Sequence, residues 1–310
     1  DGLSNRGLSH SEMVQKLQNE DIDENLTIHC FGYGKDHSSS VLQAIAFRSP
    51  GGLYYYIENN EQIASTFGDC LAGTFTTVAH SIHIYLEAFD GCRFIKIRTK
   101  YPFKTVKSMK KYYGSLGSMY EQESRSVLMR LSLRALSECS QNIFQVTVAY
   151  TSAYDNTRKS HKQLVIVNRK QELTKQPMNS ELEKQINRIT SAEAIDKAIS
   201  AASVKNFGTA EQIIRQAIQL IESSETSKDP YCKDLIADLR DCISCVSNQE
   251  RFNRSGVHEA YQFSTMYNQE RSVGIHHRGN RSANYGYCTP LQTQEKQKAS
   301  QAIHNYLSGY

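Results

Sequence analysis

The spacing of apolar residues within residues 1–79 changes repeatedly between the period of a strand and the period of a helix. Residues 26–30 alternate apolar and polar positions, and residues 53–57 form an aromatic and aliphatic run, so both segments are predicted as strands. Helices are predicted from Ser9, from Asp36 or His37, and from Asn59. The last helix carries an apolar residue at every fourth position, at Ile63, Phe67, Leu71 and Phe75. This alternation indicates an α/β unit with a parallel sheet.

Residues 80–170 show a different pattern, in which apolar and polar residues alternate in short runs without an intervening helix. The apolar positions of these runs are Ile82, Ile84 and Leu86; Phe94 and Ile95; Val127, Met129, Leu131 and Leu133; Phe144, Val146, Val148 and Tyr150; and Leu164 to Val167. Such short strands separated by polar turns predict an antiparallel β-sandwich.

The remainder of the chain, residues 178–310, has helical periodicity. A polar segment, Lys170 to Ser180, precedes it and is interpreted as a linker. Three apolar stripes follow: Ile195, Ile199 and Ala202; Ile213, Ala217, Leu220 and Ile221; and Leu235, Leu239, Cys242, Ile243 and Val246. They predict a helical hairpin and its neighbours. Residues 272–286 are interpreted as a loop and residues 291–308 as a final helix.

Composition restricts the class of protein. The 310 residues carry a net charge of +4 with a pI near 8.5, which is too small an excess to indicate a dedicated nucleic-acid binder. The apolar runs are too short for a membrane-spanning helix. Eight scattered cysteines indicate buried thiols in a reducing compartment, and no leader-like segment opens the sequence. We therefore expect a cytoplasmic, intracellular chain with protein partners, and neither nucleic acid nor a membrane as a partner.

Several short motifs have both a chemical and a structural interpretation. Gly32-Tyr-Gly34 lies between a strand and a helix, as in a dinucleotide fingerprint, but His37 occupies the position of the third glycine, which favours a strand end. Cys242 and Cys245 form a single CxxC pair, for which core packing is favoured over a zinc or redox site. The adjacent His276 and His277 are interpreted as part of a solvated loop.

Two further observations concern a basic and aromatic segment and the residue patterns of nucleophilic catalysis. Lys107 to Lys111, followed by Tyr112 and Tyr113, is interpreted as a solvated strand edge, with a contact to an acidic partner as the alternative. No GxSxG and no Ser-His-Asp or Cys-His spacing is present. We therefore assign no catalytic residue and expect no enzyme activity in this chain.

Four segments of the first region together resemble the C-terminal part of a von Willebrand factor A (vWA) domain. They are Asp1-Gly2 with its short helix, Ile28-His-Cys-Phe-Gly-Tyr-Gly-Lys-Asp-His37, Gly52-Leu-Tyr-Tyr-Tyr-Ile57 and Cys70-Leu-Ala-Gly73. Ala72 stands where the intracellular branch of that family often has glycine. The resemblance implies a partial vWA, Rossmann-like unit over residues 1–79, followed by the sandwich at 80–170 and the helical region at 178–310.

The resemblance also implies a metal-ion-dependent adhesion site at the carboxyl ends of the strands. In the family this site consists of a DxSxS loop, a distant Thr and an Asp that precedes Gly. Asp1 matches the last of these, whereas the loop and the Thr would lie upstream. We therefore expect Asp1 to be a metal ligand only where that loop and Thr are present. No cofactor is expected in this chain, and Mg²⁺ is expected in an intact parent domain.

The order of the later regions resembles the extension behind the vWA domain of plant RING-type ubiquitin ligases and related protist proteins, including the segments that begin at Gln185 and Tyr287. The leading hypothesis is a non-enzymatic protein–protein interaction module. The alternative is the substrate-recruiting part of a ubiquitin ligase whose RING lies upstream. The strand at Tyr54–Tyr56, if exposed, and the loop at 272–286 are the expected contact surfaces.

Overall fold

The first region of the computed structural model contains a two-stranded parallel sheet. The structure describes residues 12, 15–16, 26–89, 91–134, 140–168, 177–274 and 287–308, so the helix predicted from Ser9 lies outside the described residues. Strand β1 (Cys30–Tyr33) pairs in parallel with β2 (Tyr54–Ile57). The strand predicted at 26–30 is therefore displaced, because its ladder begins only where β2 provides a partner.

Helix α1 (Ser39–Arg48) connects the two strands. It begins after its N-cap Ser38, slightly later than the predicted start at Asp36 or His37. A glycine turn returns the chain to β2, with Gly51 at φ +76°. The strand at Tyr54–Tyr56 is expected to be a contact surface only if it is exposed. Its tyrosines are buried, so it does not provide such a surface.

Helix α2 (Ile63–Phe75) follows β2 but buries a different face from the one predicted. Phe67, Leu71 and Phe75 are exposed, with Phe75 at 66%. The buried face consists of small and polar residues, namely Thr66, Gly68, Asp69, Ala72 and Gly73. Helix α7 (Pro290–Ser308), close to the predicted final helix, packs against this face. A Cβ atom at Gly68 would lie 2.2 Å from Ser300 Oγ, so close helix packing requires the small residue.

The second region is the predicted sandwich. Its strands are β3 (Thr77–Ala88), β4 (Cys92–Arg98), β5 (Phe103–Lys107), β6 (Lys111–Tyr120), β7 (Leu128–Leu133), β8 (Ser140–Ser152) and β9 (Arg158–Asn168). A five-stranded antiparallel sheet of order β5-β6-β3-β8-β9 packs against the β4-β7 pair through a core that includes Leu86, Phe94 and Phe144. The alternating pattern in the sequence is thus explained by one buried face per strand.

The β5-β6 hairpin is an addition to the predicted strands. Lys107 to Lys111, interpreted above as a solvated strand edge, forms the turn of this hairpin together with the strand ends on each side. Met109 has φ +56°, and the Lys110 amide donates to the Lys107 carbonyl oxygen at 3.0 Å. The lysines are therefore placed by a tight turn, which tolerates solvated side chains.

The third region is a bundle of four helices, α3 (Ser180–Ser203), α4 (Phe207–Glu222), α5 (Pro230–Cys245) and α6 (Val257–Gln269). The predicted stripes are buried with few exceptions, of which Leu220 is the clearest. Helix α6 has no predicted counterpart because its buried face is largely polar. Its buried polar side chains are His258, Gln262, Ser264, Thr265 and Gln269.

The bundle and the parallel sheet share one hydrophobic core. Leu53 and Tyr55 lie in the same buried cluster as the apolar residues of α3 to α6, and α6 contacts both α1 and β2. The first and third regions are therefore joined in space, although the sandwich separates them in sequence. The boundaries proposed at 79, 170 and 178 remain predictions.

Candidate functional site

A buried polar cluster lies where α1 and α6 pack over the parallel sheet. Ser39 Oγ lies 2.5 Å from His258 Nδ1 and 2.8 Å from the Tyr54 hydroxyl. The same hydroxyl lies 2.8 Å from His37 Nε2. The two imidazole rings stack with a centroid distance of 4.1 Å. The cluster therefore connects the end of β1, the start of α1, β2 and the bundle.

The two glycines of the strand end explain how His37 reaches this position. Gly34 has φ +63°, a conformation that glycine adopts without steric penalty. A Cβ atom at Gly32 would lie 2.2 Å from His37 Nε2, so the imidazole ring occupies the space that a side chain would need. The Gly-x-Gly motif thus makes room for a buried histidine, which accounts for it without a nucleotide.

Burial keeps both imidazoles of the cluster neutral. Burial, together with the neighbouring His37, lowers the pKa of His258 to about 4. Burial also lowers the pKa of His37. A neutral imidazole next to a serine hydroxyl is the arrangement of a nucleophile with its base. However, Ser39 and His258 are each only 3% exposed, and we assign the cluster a structural role.

A network of buried charges joins the bundle to the sandwich. Arg271, directly after α6, donates from Nε to Glu123 Oε1 at 2.9 Å and from Nη2 to Glu123 Oε2 at 3.1 Å. It also donates to the carbonyl oxygens of Gly51 at 3.1 Å and Ser118 at 2.9 Å. One guanidinium thereby contacts the turn before β2, strand β6 and the segment after it. It holds all three regions in one arrangement.

Two carboxyl groups of this network have opposite pKa shifts. Burial by itself raises the pKa of Glu123, but the positive charges of Arg271 and Arg125 outweigh burial and lower it. Burial raises the pKa of Glu270, and the nearby Arg188, at 3.3 Å, opposes this only in part. Both carboxyl groups are engaged in contacts within the fold, Glu123 with Arg271 and Glu270 with Arg188 and the Ser126 amide.

The CxxC thiols lie in the bundle core, as predicted. Cys242 and Cys245 are buried, and burial raises the pKa of both thiols. Cys245 Sγ lies 3.4 Å from a carboxylate oxygen of Glu259, which further disfavours the thiolate. A redox site needs an accessible thiolate, and among the described residues no further His, Cys, Asp or Glu joins the pair in a group of three or more that could hold a metal ion. The described geometry therefore supports the packing interpretation.

The expected metal ligand and the adjacent histidine pair fall on parts of the chain that the structure does not describe. Asp1 lies outside the described residues, as do His276, His277 and most of the loop at 272–286. Within the part of the chain that the structure describes, no group of three or more His, Cys, Asp or Glu side chains is arranged to hold a metal ion. The expectation that Asp1 binds a metal in a domain that contains the DxSxS loop and the Thr remains a prediction.

Charge is distributed unevenly over the fold. Residues 77–168 contain fourteen Lys and Arg against six Asp and Glu, a net charge of +8. Residues 180–269 contain ten Lys and Arg against thirteen Asp and Glu, a net charge of −3. In the whole-chain net charge of +4, the negative charge of the bundle therefore cancels part of the positive charge of the sandwich. The whole-chain net charge does not reveal that positive and negative charges lie in different parts of the fold.

Comparison with solved structures defines the class of fold. A von Willebrand factor type A protein from Catenulispora acidiphila superposes with a TM-score of 0.59 over 83% of this chain and 60% of that chain, at 14% sequence identity. The chain thus has a vWA-like, mixed α/β fold, which confirms the fold class predicted from the motifs. None of the described helices combines the length and the apolar character needed to cross a membrane.

Comparison with protein-family models and with known sequences gives matches to part of the chain. A family model described as "CPSF6-like, RSLD domain, N-terminal region" matches residues 179–281. Cleavage and polyadenylation specificity factor subunit 6 of Pongo abelii is 41% identical over 63 residues, or 20% of this chain and 11% of that protein. Subunit 7 of Rattus norvegicus is 39% identical over 57 residues, or 18% and 12%. Each match thus spans only about a tenth of the relative's length.

These relatives correct one prediction. Factors named for cleavage and polyadenylation are concerned with RNA, so the expectation that nucleic acid is not a partner is wrong. The error came from the net charge of +4, because the acidic bundle masks the +8 of the sandwich when the charges are summed.

Proposed function

We propose that this chain is a non-enzymatic interaction module of an RNA-processing assembly. The observation that carries the proposal is the position of the RSLD-like segment. Residues 179–281 contain all of α3 to α6, and these helices share a core with the vWA-like sheet. The segment is thus part of the folded unit, and the surface it presents is held at a fixed orientation to the sandwich.

The acidic bundle is the proposed protein-docking part, and a basic segment of another protein is its proposed partner. Complementary charge steers association and suppresses incorrect partners. The bundle's net charge of −3 therefore favours a basic partner, while the basic sandwich stays available for a different ligand. An intracellular location follows from this proposal, whereas nothing among the relatives favours the cytoplasm in particular.

The comparisons do not support every specific prediction made from the sequence. The ubiquitin ligase alternative is not part of the proposal, because no relative or described residue favours it. The resemblance to the extension of RING-type proteins and the metal-ion-dependent adhesion site remain predictions. The proposal therefore keeps the protein-interaction module of the leading hypothesis and assigns that module to RNA processing.

Affinity purification of the tagged full chain after crosslinking in cells tests the proposal. We expect enrichment of cleavage and polyadenylation factors and of RNA near polyadenylation sites. In the variant Glu225→Lys with Glu250→Lys, two exposed carboxylates are reversed and the bundle charge changes from −3 to +1. Recovery of the protein partners should fall severalfold, while the matched variant Lys205→Glu with Lys228→Glu should retain them. Equal recovery of these factors by the wild type and an untagged control would overturn the proposal.

A further inference from the structure

One residue from each strand of the five-stranded sheet forms a straight row across it. In the observed register Lys104 lies opposite Tyr113, Tyr113 opposite Tyr85, Tyr85 opposite Thr147, and Thr147 opposite Lys162. Directly opposed residues project from the same face of a sheet. Neighbouring strands lie about 4.8 Å apart, so the row extends roughly 19 Å from one lysine to the other.

This row lies on the face that the two-stranded sheet leaves open. Leu86 of β3 faces the core with Phe94 and Phe144, so Tyr85, its neighbour along the strand, faces the other way. Tyr85 is 41% exposed, and both lysines of the row are exposed. The row is therefore presented to a ligand across the open side of the sandwich.

The aromatic centre of the row is held in place before any ligand binds. The rings of Tyr85 and Tyr113 have centroids 5.1 Å apart. Tyr113 also stacks on the buried His83 at 5.3 Å, and its hydroxyl lies 2.6 Å from His83 Nδ1. A ring fixed from beneath loses little conformational freedom when it receives a ligand, so its contact contributes more to affinity.

The charges on each side of the aromatic centre are positive. Beyond the row, Lys107 and Lys111 lie at the β5-β6 turn, on the side of Lys104. Glu87, which lies two residues along β3 from Tyr85 and so on the same face, forms an ion pair with Lys111 at 2.6 Å. The face thus combines two aromatic rings with flanking cations, within a sandwich whose net charge is +8.

We propose that this row binds a single-stranded nucleic acid, RNA in the cell, with bases stacked on Tyr85 and Tyr113 and phosphates beside Lys104 and Lys162. Proteins that bind single strands combine aromatic stacking surfaces with a basic track along the nucleic-acid backbone. A duplex hides the flat surfaces of its bases and cannot use the rings. The inference concerns the sandwich, so it stands independently of the docking role proposed for the bundle.

Fluorescence anisotropy with the purified full chain and a labelled RNA of roughly 12 nucleotides tests the inference. We expect salt-dependent binding that Tyr85→Leu weakens at least about fivefold, while Tyr85→Phe keeps the wild-type affinity because the ring remains. Lys104→Gln with Lys162→Gln should reduce the slope of log Kd against log salt by about 1.4, the value for two phosphate contacts to a single strand.

The controls use the same substitutions elsewhere. Tyr154→Leu removes an exposed ring from the β8-β9 turn, and Lys205→Gln with Lys233→Gln removes two exposed bundle cations; both should retain wild-type affinity. Circular dichroism establishes that each variant is folded. No binding by the wild type, duplex RNA bound as tightly as the single strand, or an unchanged Kd for Tyr85→Leu would each overturn the inference. The choice of RNA as the ligand in the cell rests on the proposed function, and single-stranded DNA of the same sequence should bind with comparable affinity, because rings and lysines contact only bases and phosphates.

Because this assay contains no protein partner, its failure leaves the bundle proposal intact. Conversely, the variant Glu225→Lys with Glu250→Lys should bind the RNA at least as well as the wild type does. Loss of RNA binding in that variant would contradict the assignment of the site to the sandwich.

Discussion

Arg271 and Glu123 form a two-bonded ion pair in which both side chains are almost completely buried, at 1% and 4% exposure. The guanidinium also lies 3.6 Å from the centre of the Tyr120 ring. A buried charge that loses its partner keeps its desolvation penalty without compensation. This pair is therefore where the arrangement of bundle and sandwich is most sensitive to substitution.

Arg271→Met is expected to lower the free energy of unfolding by about 3–5 kcal/mol, because the buried charge of Glu123 then loses one of its two arginine partners. Chemical denaturation measures the change. The matched control is Arg215→Met, since Arg215 pairs with Glu211 at 2.6 Å on the bundle surface, where an ion pair contributes only about 0–1 kcal/mol. Similar losses in the two variants would contradict the interpretation of Arg271 as the junction residue.

Acidification is expected to destabilise the chain between about pH 6.5 and pH 4 through its buried histidines. Burial lowers the pKa of His29 and of His258 to about 4, and it also lowers the pKa of His37. The unfolded chain thus binds protons in this window that the folded chain does not, so stability rises with pH there. The slope is at most about 1.4 kcal/mol per pH unit for each histidine.

His258→Gln isolates one contribution, because an amide can still bond to Ser39 but does not titrate. The slope of unfolding free energy against pH in this window should decrease. The charged groups that influence His258 include His37, Asp36 and Glu259. Glu270, with its raised pKa, acts in the opposite direction above pH 4.5, whereas the lowered pKa of Glu123 acts only below that value. An unchanged slope in the variant would show that His258 is not buried as a neutral base.

The sequence predicts the sheet and the sandwich well because their patterns depend on burial of alternate side chains. The aromatic run of β2 and the alternation in β8 lie where the structure has strands. Helix α2 shows why the same reasoning fails elsewhere. Its apolar residues at four-residue spacing are exposed, whereas Gly68 and Gly73 are buried because α7 and Tyr120 approach them closely. Hydrophobic periodicity cannot detect a face selected for small size.

The candidate RNA surface shows a second limit. Tyr113 and Tyr85 are 28 positions apart in sequence, and only the β3-β6 register brings them together. The sequence shows the aromatic residues after the Lys107–Lys111 segment, but its pattern does not predict the β5-β6 hairpin that positions them. The whole-chain net charge of +4 also does not reveal the basic character of the sandwich. Side-chain rows across a sheet depend on register, which a single sequence does not specify for distant strands.

The thiols of Cys242 and Cys245 are expected to resist alkylation in the native chain. Both are buried, and burial raises the pKa of each, so neither presents a thiolate at pH 8. Intact-mass measurement after brief treatment with iodoacetamide should show these two residues unmodified, and treatment in denaturant should modify both. Rapid native modification of either would favour the redox interpretation of the CxxC pair over packing.

The same Gly→Ala substitution is expected to change stability in opposite directions at two helical positions. At Gly73 in α2 a Cβ atom would lie 2.7 Å from the Tyr120 ring, which Arg271 covers on one side, so Gly73→Ala should lower the free energy of unfolding by about 1–3 kcal/mol. At Gly208 in α4 a Cβ atom would meet nothing within 4 Å, and Gly208→Ala should raise it by about 0.4–1 kcal/mol by reducing the freedom of the unfolded chain. Thermal and chemical denaturation of the pair measure both changes. Stabilisation by Gly73→Ala would mean that α2 does not approach Tyr120 as closely as described. The orientation of α2 that exposes Phe67, Leu71 and Phe75 would then be wrong as well.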